Sequence, residues 1–114
     1  MTVDELAQLL EAEILTGREE AGSRSVSGVY VCDLLSHAMA KIEAEDVWIT
    51  VHTNLNVVAV ALLSGAACVL IPEGGQVEEA TLSRAAAQSV ILLSGKASGA
   101  RYCHEILRLL EGTE

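Results

Sequence analysis

The chain has 114 residues, of which 51 % are hydrophobic, and it carries a formal net charge of −9. This length suits one domain with a continuous core, and we predict a single domain spanning residues 1–114. The negative charge and the scatter of only seven Lys and Arg argue against nucleic-acid binding, which requires a basic face.

The beginning of the chain predicts an intracellular location. The segment MTVDELAQLL contains acidic residues where a secretory signal would be basic. The longest apolar stretch, residues 57–71, is interrupted by Ser64 and Gly65 and is too short to span a bilayer. The chain has three widely spaced cysteines, an odd number without a disulfide or metal pattern. We therefore expect reduced thiols in a cytoplasmic protein without membrane contact.

The first quarter of the chain predicts a helix, a strand and a loop. Thr2 is followed three residues later by Glu5, the signature of a capping box at the start of a helix. Residues 13–16 form a candidate strand that Gly17 ends. Residues 18–25 are polar, charged and glycine-containing, and so predict an exposed, mobile loop.

The middle of the chain predicts strands alternating with helices. Residues 26–32 read as a strand buried on both faces, and Asp33 is predicted to cap a helix over residues 34–43. The segment DVWITVHTNLNVVAVALLSGAACVLIPEGG then contains a strand at 47–51, an apolar helix and a strand at 68–71. Two apolar strands joined through a helix predict a parallel βαβ unit with a right-handed crossover.

The remainder of the chain continues this alternation. A helix is predicted over residues 77–88 and a last strand over 89–93, and Ser98 is predicted to cap a final helix that ends near residue 110. The whole pattern predicts an α/β domain in which helices cover both faces of a mostly parallel sheet of four to five strands.

If the strands are parallel, their carboxyl ends share one edge, where open α/β sheets bind ligands. Polar and glycine residues follow several of these ends, and turns that lead into helices offer free amides to an anion. The alternative is that the polar residues only cap helices and the glycines only form turns. The candidate ligand-binding rim consists of Asp33, His52, Thr53, Asn54, Asn56, Glu73, Gly74, Gly75 and Ser94.

Other kinds of chemistry find less support in the sequence. The turn around Lys96 lacks two features of a phosphate-binding P-loop, because Val90 replaces the upstream glycine and Ala97 follows the lysine. The histidines and cysteines show no metal-binding spacing, so neither a metal nor a cofactor is predicted. His52 beside Asp33 would be the base and its orienting group in a small enzyme, the least supported reading.

The central helix predicts a subunit contact. Residues 57–63, VVAVALL, are apolar on every side of the helix, and one face alone can pack on the sheet. A second copy of the chain would cover the other face, and we predict a homodimer. The alternative is that neighbouring helices cover it within the monomer. The candidate dimer-interface residues are Val57, Val60, Ala61 and Leu63.

Three segments in this order, VSGVYVCDLLSHAMA, DVWITVHTNLNVVAVALLSGAACVLIPEGG and VEEATLSRAAAQSVILLS, resemble the DRTGG domain. The resemblance implies a small α/β domain similar to the N-terminal domain of HPr kinase/phosphorylase. Relatives are regulatory insertions in phosphotransacetylases and CBS-domain pyrophosphatases, where they contribute to dimer contacts. The family's naming motif contains an Asp-Arg pair, whereas this chain has the segment HTNLN at residues 52–56. Only the polar turn and the Gly74-Gly75 loop therefore correspond.

The resemblance and the residues together predict a non-enzymatic regulatory module, dimeric, with a small anionic or nucleotide ligand. A protein–protein scaffold without a small ligand is the alternative. Because the chain lacks a P-loop, the resemblance does not imply kinase activity.

Overall fold

A five-stranded sheet forms the middle layer of the computed structural model, which describes residues 1–112. The strands are β1 (Glu13–Thr16), β2 (Gly28–Val31), β3 (Asp46–Ile49), β4 (Cys68–Ile71) and β5 (Leu92–Ser94). The helices are α1 (Val3–Leu10), α2 (Arg18–Ala21), α3 (Leu35–Lys41), α4 (Asn56–Ser64), α5 (Glu79–Ala87) and α6 (Gly99–Glu111). Within residues 1–112, no helix combines the length and apolar character needed to cross a membrane.

The strand order is β1-β5-β4-β3-β2, with β2 to β5 parallel and β1 antiparallel to β5. In the central pair, Val47 lies opposite Cys68 and Ile49 opposite Leu70. Parallel neighbours cannot be joined by a tight turn, so α3, α4 and α5 each serve as a crossover. The predicted α/β class and mostly parallel sheet are confirmed.

Successive side chains of each strand point to opposite faces of the sheet, and this divides the core into two halves. Trp48, Val69 and Leu92 pack with α3, α4 and α5, while their strand neighbours Ile49 and Leu70 pack with α1, α2 and α6. Both sheet faces are therefore covered, which explains why β3 and β4 are apolar at nearly every position. Because Phe is absent, the core is aliphatic except for Tyr102 and the fully buried Trp48.

Three helix ends follow the sequence signals. The Thr2 hydroxyl accepts from the Glu5 amide at 3.2 Å, while the Glu5 carboxylate accepts from the Thr2 amide at 2.9 Å. Ser98 caps α6 by accepting from the Arg101 amide at 3.1 Å. Gly65 ends α4 with φ of 79°, a left-handed conformation that glycine adopts without steric cost.

The predicted mobile loop at residues 18–25 is instead partly helical. Residues 18–21 form α2, and its last residue, Ala21, is fully buried against the sheet. Val26 follows it into the same half of the core. One small apolar residue among charges gave no periodic signal, so the sequence could not reveal this helix.

The chain itself covers most of the predicted dimer surface. Val57, Val60 and Ala61 are buried within the monomer, in the core half that also contains residues of α3 and α5. This corrects the assignment of these three residues to a subunit interface, since neighbouring helices already exclude solvent from them. Leu63 is 73 % exposed and remains available to a partner.

The buried thiol of Cys68 gives a test of this packing. Burial raises the pKa of the Cys68 thiol to about 12, with a smaller opposing effect from Arg24. Since the thiolate is the reactive species, we expect N-ethylmaleimide at pH 8 to modify Cys32 and Cys103, both half-buried, well before Cys68. Peptide mass spectrometry measures the three rates, and the guanidinium-unfolded protein provides the control in which all three react. Modification of native Cys68 as fast as Cys32 would contradict this packing.

Candidate functional site

The carboxyl ends of the four parallel strands lie side by side, at Val31, Ile49, Ile71 and Ser94. The loops that follow β3 and β4 approach each other at this edge. The Thr53 methyl carbon is 4.0 Å from the position that a Cβ on Gly75 would occupy. The polar turn after β3 and the glycine loop after β4 are therefore neighbours.

Asp33 joins the end of β2 to the end of β3. Its Oδ1 accepts from the Thr50 hydroxyl at 2.8 Å and from the Val51 amide at 2.9 Å. We call this Asp33–Thr50–Val51 group the latch. The predicted cap of α3 is wrong, because Leu34 occupies the N-cap position and the Asp33 carboxylate turns toward β3 instead.

His52 lies against the latch through its ring and its backbone. The ring Nε2 contacts the backbone carbonyl oxygen of Asp33, and the His52 amide donates to the Thr50 hydroxyl at 3.3 Å. Since a carbonyl oxygen only accepts, Nε2 must carry a hydrogen, and Nδ1 is the nitrogen left to accept in the neutral ring. The carboxylate of Asp33 thus does not orient the imidazole as a catalytic base would require.

The other polar residues after β3 start the next helix. The Asn54 side-chain oxygen accepts from the Asn56 amide at 3.0 Å, a local turn that leads into α4. Asn56 is the first residue of that helix, and Leu55 occupies its N-cap position. Asn54 therefore has a structural role at the start of α4, as expected if the polar residues of the rim only begin helices.

The loops after β4 and β5 are tied together through their backbones. The Glu73 amide donates to the Ala97 carbonyl at 2.8 Å, and the Gly74 amide donates to the Gly95 carbonyl at 2.9 Å. Gly95 packs so closely against Tyr102 that a Cβ at this position would overlap the phenol. The Tyr102 hydroxyl in turn accepts from the Ala97 amide at 3.2 Å. Hydrogen bonds and close packing thus join the loops after β4 and β5 to each other and to α6.

A cleft of about 960 Å³ lies beside these tied loops. The chain leaves β4 toward α5 and leaves β5 toward α6, and these helices pack on opposite faces of the sheet. Such a divergence is where open α/β sheets commonly bind ligands. Of the predicted rim, Gly74, Gly75 and Ser94 line this cleft, whereas the latch and the residues after β3 lie outside its lining.

Most residues of the cleft wall were not predicted from the sequence. The antiparallel strand β1 brings its amino end beside Ser94, so the turn from α1 reaches the same edge. No local pattern along the chain indicates this orientation. Lys96 fails the P-loop pattern and Arg101 lies inside the last helix, so the sequence indicates neither as part of the rim. The wall residues outside the predicted rim are Leu9, Leu10, Glu11, Glu13, Leu15, Gln76, Val77, Leu82, Gly95, Lys96, Ala97, Arg101, Tyr102 and Glu105.

Charges of both signs meet in the cleft. Glu105 accepts from the Arg108 guanidinium at 2.7 Å, and this hydrogen bond lowers the pKa of the Glu105 carboxyl below its usual value. Arg101 lies farther from Glu105, with a nitrogen–oxygen distance of 3.9 Å. Lys96 adds a second positive charge on this side. Within residues 1–112, no three His, Cys, Asp or Glu side chains gather in a way that could hold a metal ion.

Comparisons with known proteins agree with the fold and the motif order. The family model for the DRTGG domain matches residues 5–109. A crystal structure of the CBS and DRTGG domains of the regulatory region of Clostridium perfringens pyrophosphatase, complexed with the activator diadenosine tetraphosphate, matches at a TM-score of 0.75 and 14 % identity. That match covers 93 % of this chain and 46 % of the other, so the chain spans less than half of the pyrophosphatase region. No curated protein gives a significant sequence match.

The latch predicts a graded loss of stability. Asp33→Ala leaves the buried Thr50 hydroxyl and the Val51 amide without their acceptor, and we expect the free energy of unfolding to fall by about 1–2 kcal/mol. Asp33→Asn is the matched control, because its amide oxygen can still accept both hydrogen bonds and should lower stability by less. Urea unfolding followed by circular dichroism measures both. Equal stability of the Ala variant and the unmutated protein would show that the latch is energetically irrelevant.

Proposed function

The chain belongs to the DRTGG domain family, and from this membership we propose that it is a non-enzymatic regulatory module that senses a small ligand. The pyrophosphatase region of similar fold supports the proposal, since it was crystallised with a nucleotide activator. The geometry around His52 supports it as well. Its Nε2 contacts a backbone carbonyl rather than the Asp33 carboxylate, which speaks against the alternative of a small enzyme using these two residues.

The observation that carries the proposal is the coincidence of the cleft with the carboxyl edge of the parallel strands. We place the ligand beside Gly74, Gly75 and Ser94, where the two tied loops form a preformed wall. The remaining rim residues extend this edge toward β2 and would contact only a ligand that reaches beyond the cleft. These residues are Asp33, His52, Thr53, Asn54, Asn56 and Glu73.

A thermal-shift screen with adenine and guanine nucleotides, diadenosine tetraphosphate, acetyl phosphate and small anions tests this proposal. A ligand present at a hundred times its dissociation constant stabilises the folded state by about 2.7 kcal/mol. For a domain of this size, we expect the unfolding temperature to rise by roughly 10 °C or more. Ser94→Ala should reduce the shift, whereas Ser83→Ala, on the exposed side of α5 and outside the cleft lining, should not. If none of the compounds stabilises the protein, the ligand-sensing function fails.

We also propose that the module acts as a cytoplasmic homodimer. Large apolar side chains remain exposed on α4 at Leu62 and Leu63, and a second subunit would remove them from water. The three cysteines are free, as expected for a reducing compartment. A scaffold that works through protein contacts alone is the second candidate, and the same exposed leucines favour it.

Replacement of Leu63 tests the subunit contact. We expect the unmutated 12.0 kDa chain to sediment as a dimer at micromolar concentration, and Leu63→Lys to sediment as a monomer with an unchanged circular dichroism spectrum. Leu107→Lys is the matched control on α6, where another leucine is exposed. Analytical ultracentrifugation distinguishes the two states. A monomeric unmutated protein would refute the dimer, and a dimeric Leu63→Lys variant would move the contact away from α4.

A further inference from the structure

Two basic side chains, Lys96 and Arg101, line the same cleft as apolar side chains and three glutamates, Glu11, Glu13 and Glu105. We propose that this cleft binds a purine nucleotide, with the phosphates at Lys96 and Arg101 and the base against an apolar wall. The inference rests on the proposed ligand-sensing function and adds the class of ligand and its orientation.

Two of the seven Lys and Arg residues of the chain line this one cleft. Arg101 is free to change partners, because its side chain is 63 % exposed and its ion pair with Glu105 spans 3.9 Å. Glu105 would keep its short hydrogen bond to Arg108 if Arg101 moved to a phosphate. A guanidinium can bind phosphate through two parallel hydrogen bonds, and the Lys96 ammonium adds a point charge.

Two segments of the chain near strand β1 contribute the apolar wall of the cleft. Leu9, Leu10 and Leu15 belong to the segment from α1 to β1, while Val77 and Leu82 belong to the segment around the start of α5. Leu9 is 58 % exposed, so a ligand covering it would remove apolar surface from water. A purine ring laid over this wall would cover apolar surface, as ligands do in small-molecule sites generally.

The acidic residues of the cleft can accept hydrogen bonds from a ligand. Glu11 and Glu13 belong to the segment from α1 to β1, and Glu13 lies opposite Ser94, two residues before Lys96. Carboxylates can accept from the exocyclic amino group of adenine or guanine, so they suit the base of a nucleotide. The cleft of about 960 Å³ falls at the upper end of the usual range of about 300–1,000 Å³ for ligand sites. A lone inorganic phosphate would leave most of it unfilled.

Calorimetric titration of the full chain with ADP, GDP, adenosine and pyrophosphate tests the inference. We expect ADP or GDP to bind at least about tenfold more tightly than adenosine or pyrophosphate, since each of the latter makes only part of the contacts. The double variant K96Q/R101Q should weaken nucleotide binding by at least about tenfold, given the strength of charge-assisted hydrogen bonds. The matched control K41Q/R84Q also loses two exposed positive charges, but outside the cleft lining, and should bind as the unmutated protein does.

A separate substitution, at Leu9, tests the role of the apolar wall. Leu9→Asn should weaken binding of the nucleotide and leave binding of pyrophosphate unchanged, while Leu63→Asn on α4 should change neither. Circular dichroism verifies that each variant is folded. Unchanged nucleotide affinity in K96Q/R101Q, or adenosine or pyrophosphate binding as tightly as ADP and GDP, would overturn the inference and leave ligand sensing intact. Failure of both nucleotides to bind would also overturn the inference. The ligand-sensing function fails only if, in addition, no compound of the thermal-shift screen stabilises the protein.

Discussion

The parallel pairing of β3 with β4 is the constraint on which the arrangement of polar groups depends. It sends the two following loops out of the sheet at the same edge, where Thr53 approaches the glycine loop at Gly75. The neighbouring parallel pairs bring the ends of β2 and β5 to that edge as well. An antiparallel pairing would have placed these loops at opposite ends of the sheet and left no common rim.

The edge divides into two regions with different chemistry. Around β2 and β3, the polar groups are used internally: Asp33 holds Thr50 and Val51, and His52 contacts Asp33 in turn. Around β4 and β5, backbone hydrogen bonds build the wall and leave charged side chains such as Lys96 beside an open cleft. Groups that satisfy one another stabilise the fold, whereas groups beside an open concavity are available to a ligand.

The sequence predicted the elements that depend on local signals. Capping residues such as Thr2 and Ser98 and the glycine that ends α4 act within a few residues of the chain, so their patterns are readable. The site was predicted less well, because it depends on which elements become neighbours. The antiparallel orientation of β1 brings Glu13 beside Ser94, 81 residues away, and no local pattern encodes that pairing. The same reason explains why the role of Asp33 differed from the predicted cap, since its partner Thr50 follows the neighbouring strand β3.

The buried tryptophan gives this molecule a built-in optical reporter. Trp48 is the only tryptophan of the chain, and its indole nitrogen donates to the Cys32 carbonyl at 2.9 Å, one residue before Asp33. Its emission therefore originates from a dry site directly beneath the junction of β2 and β3. A rearrangement that separated these two strands and exposed the indole to water would move the emission toward longer wavelength, without a label attached to the protein.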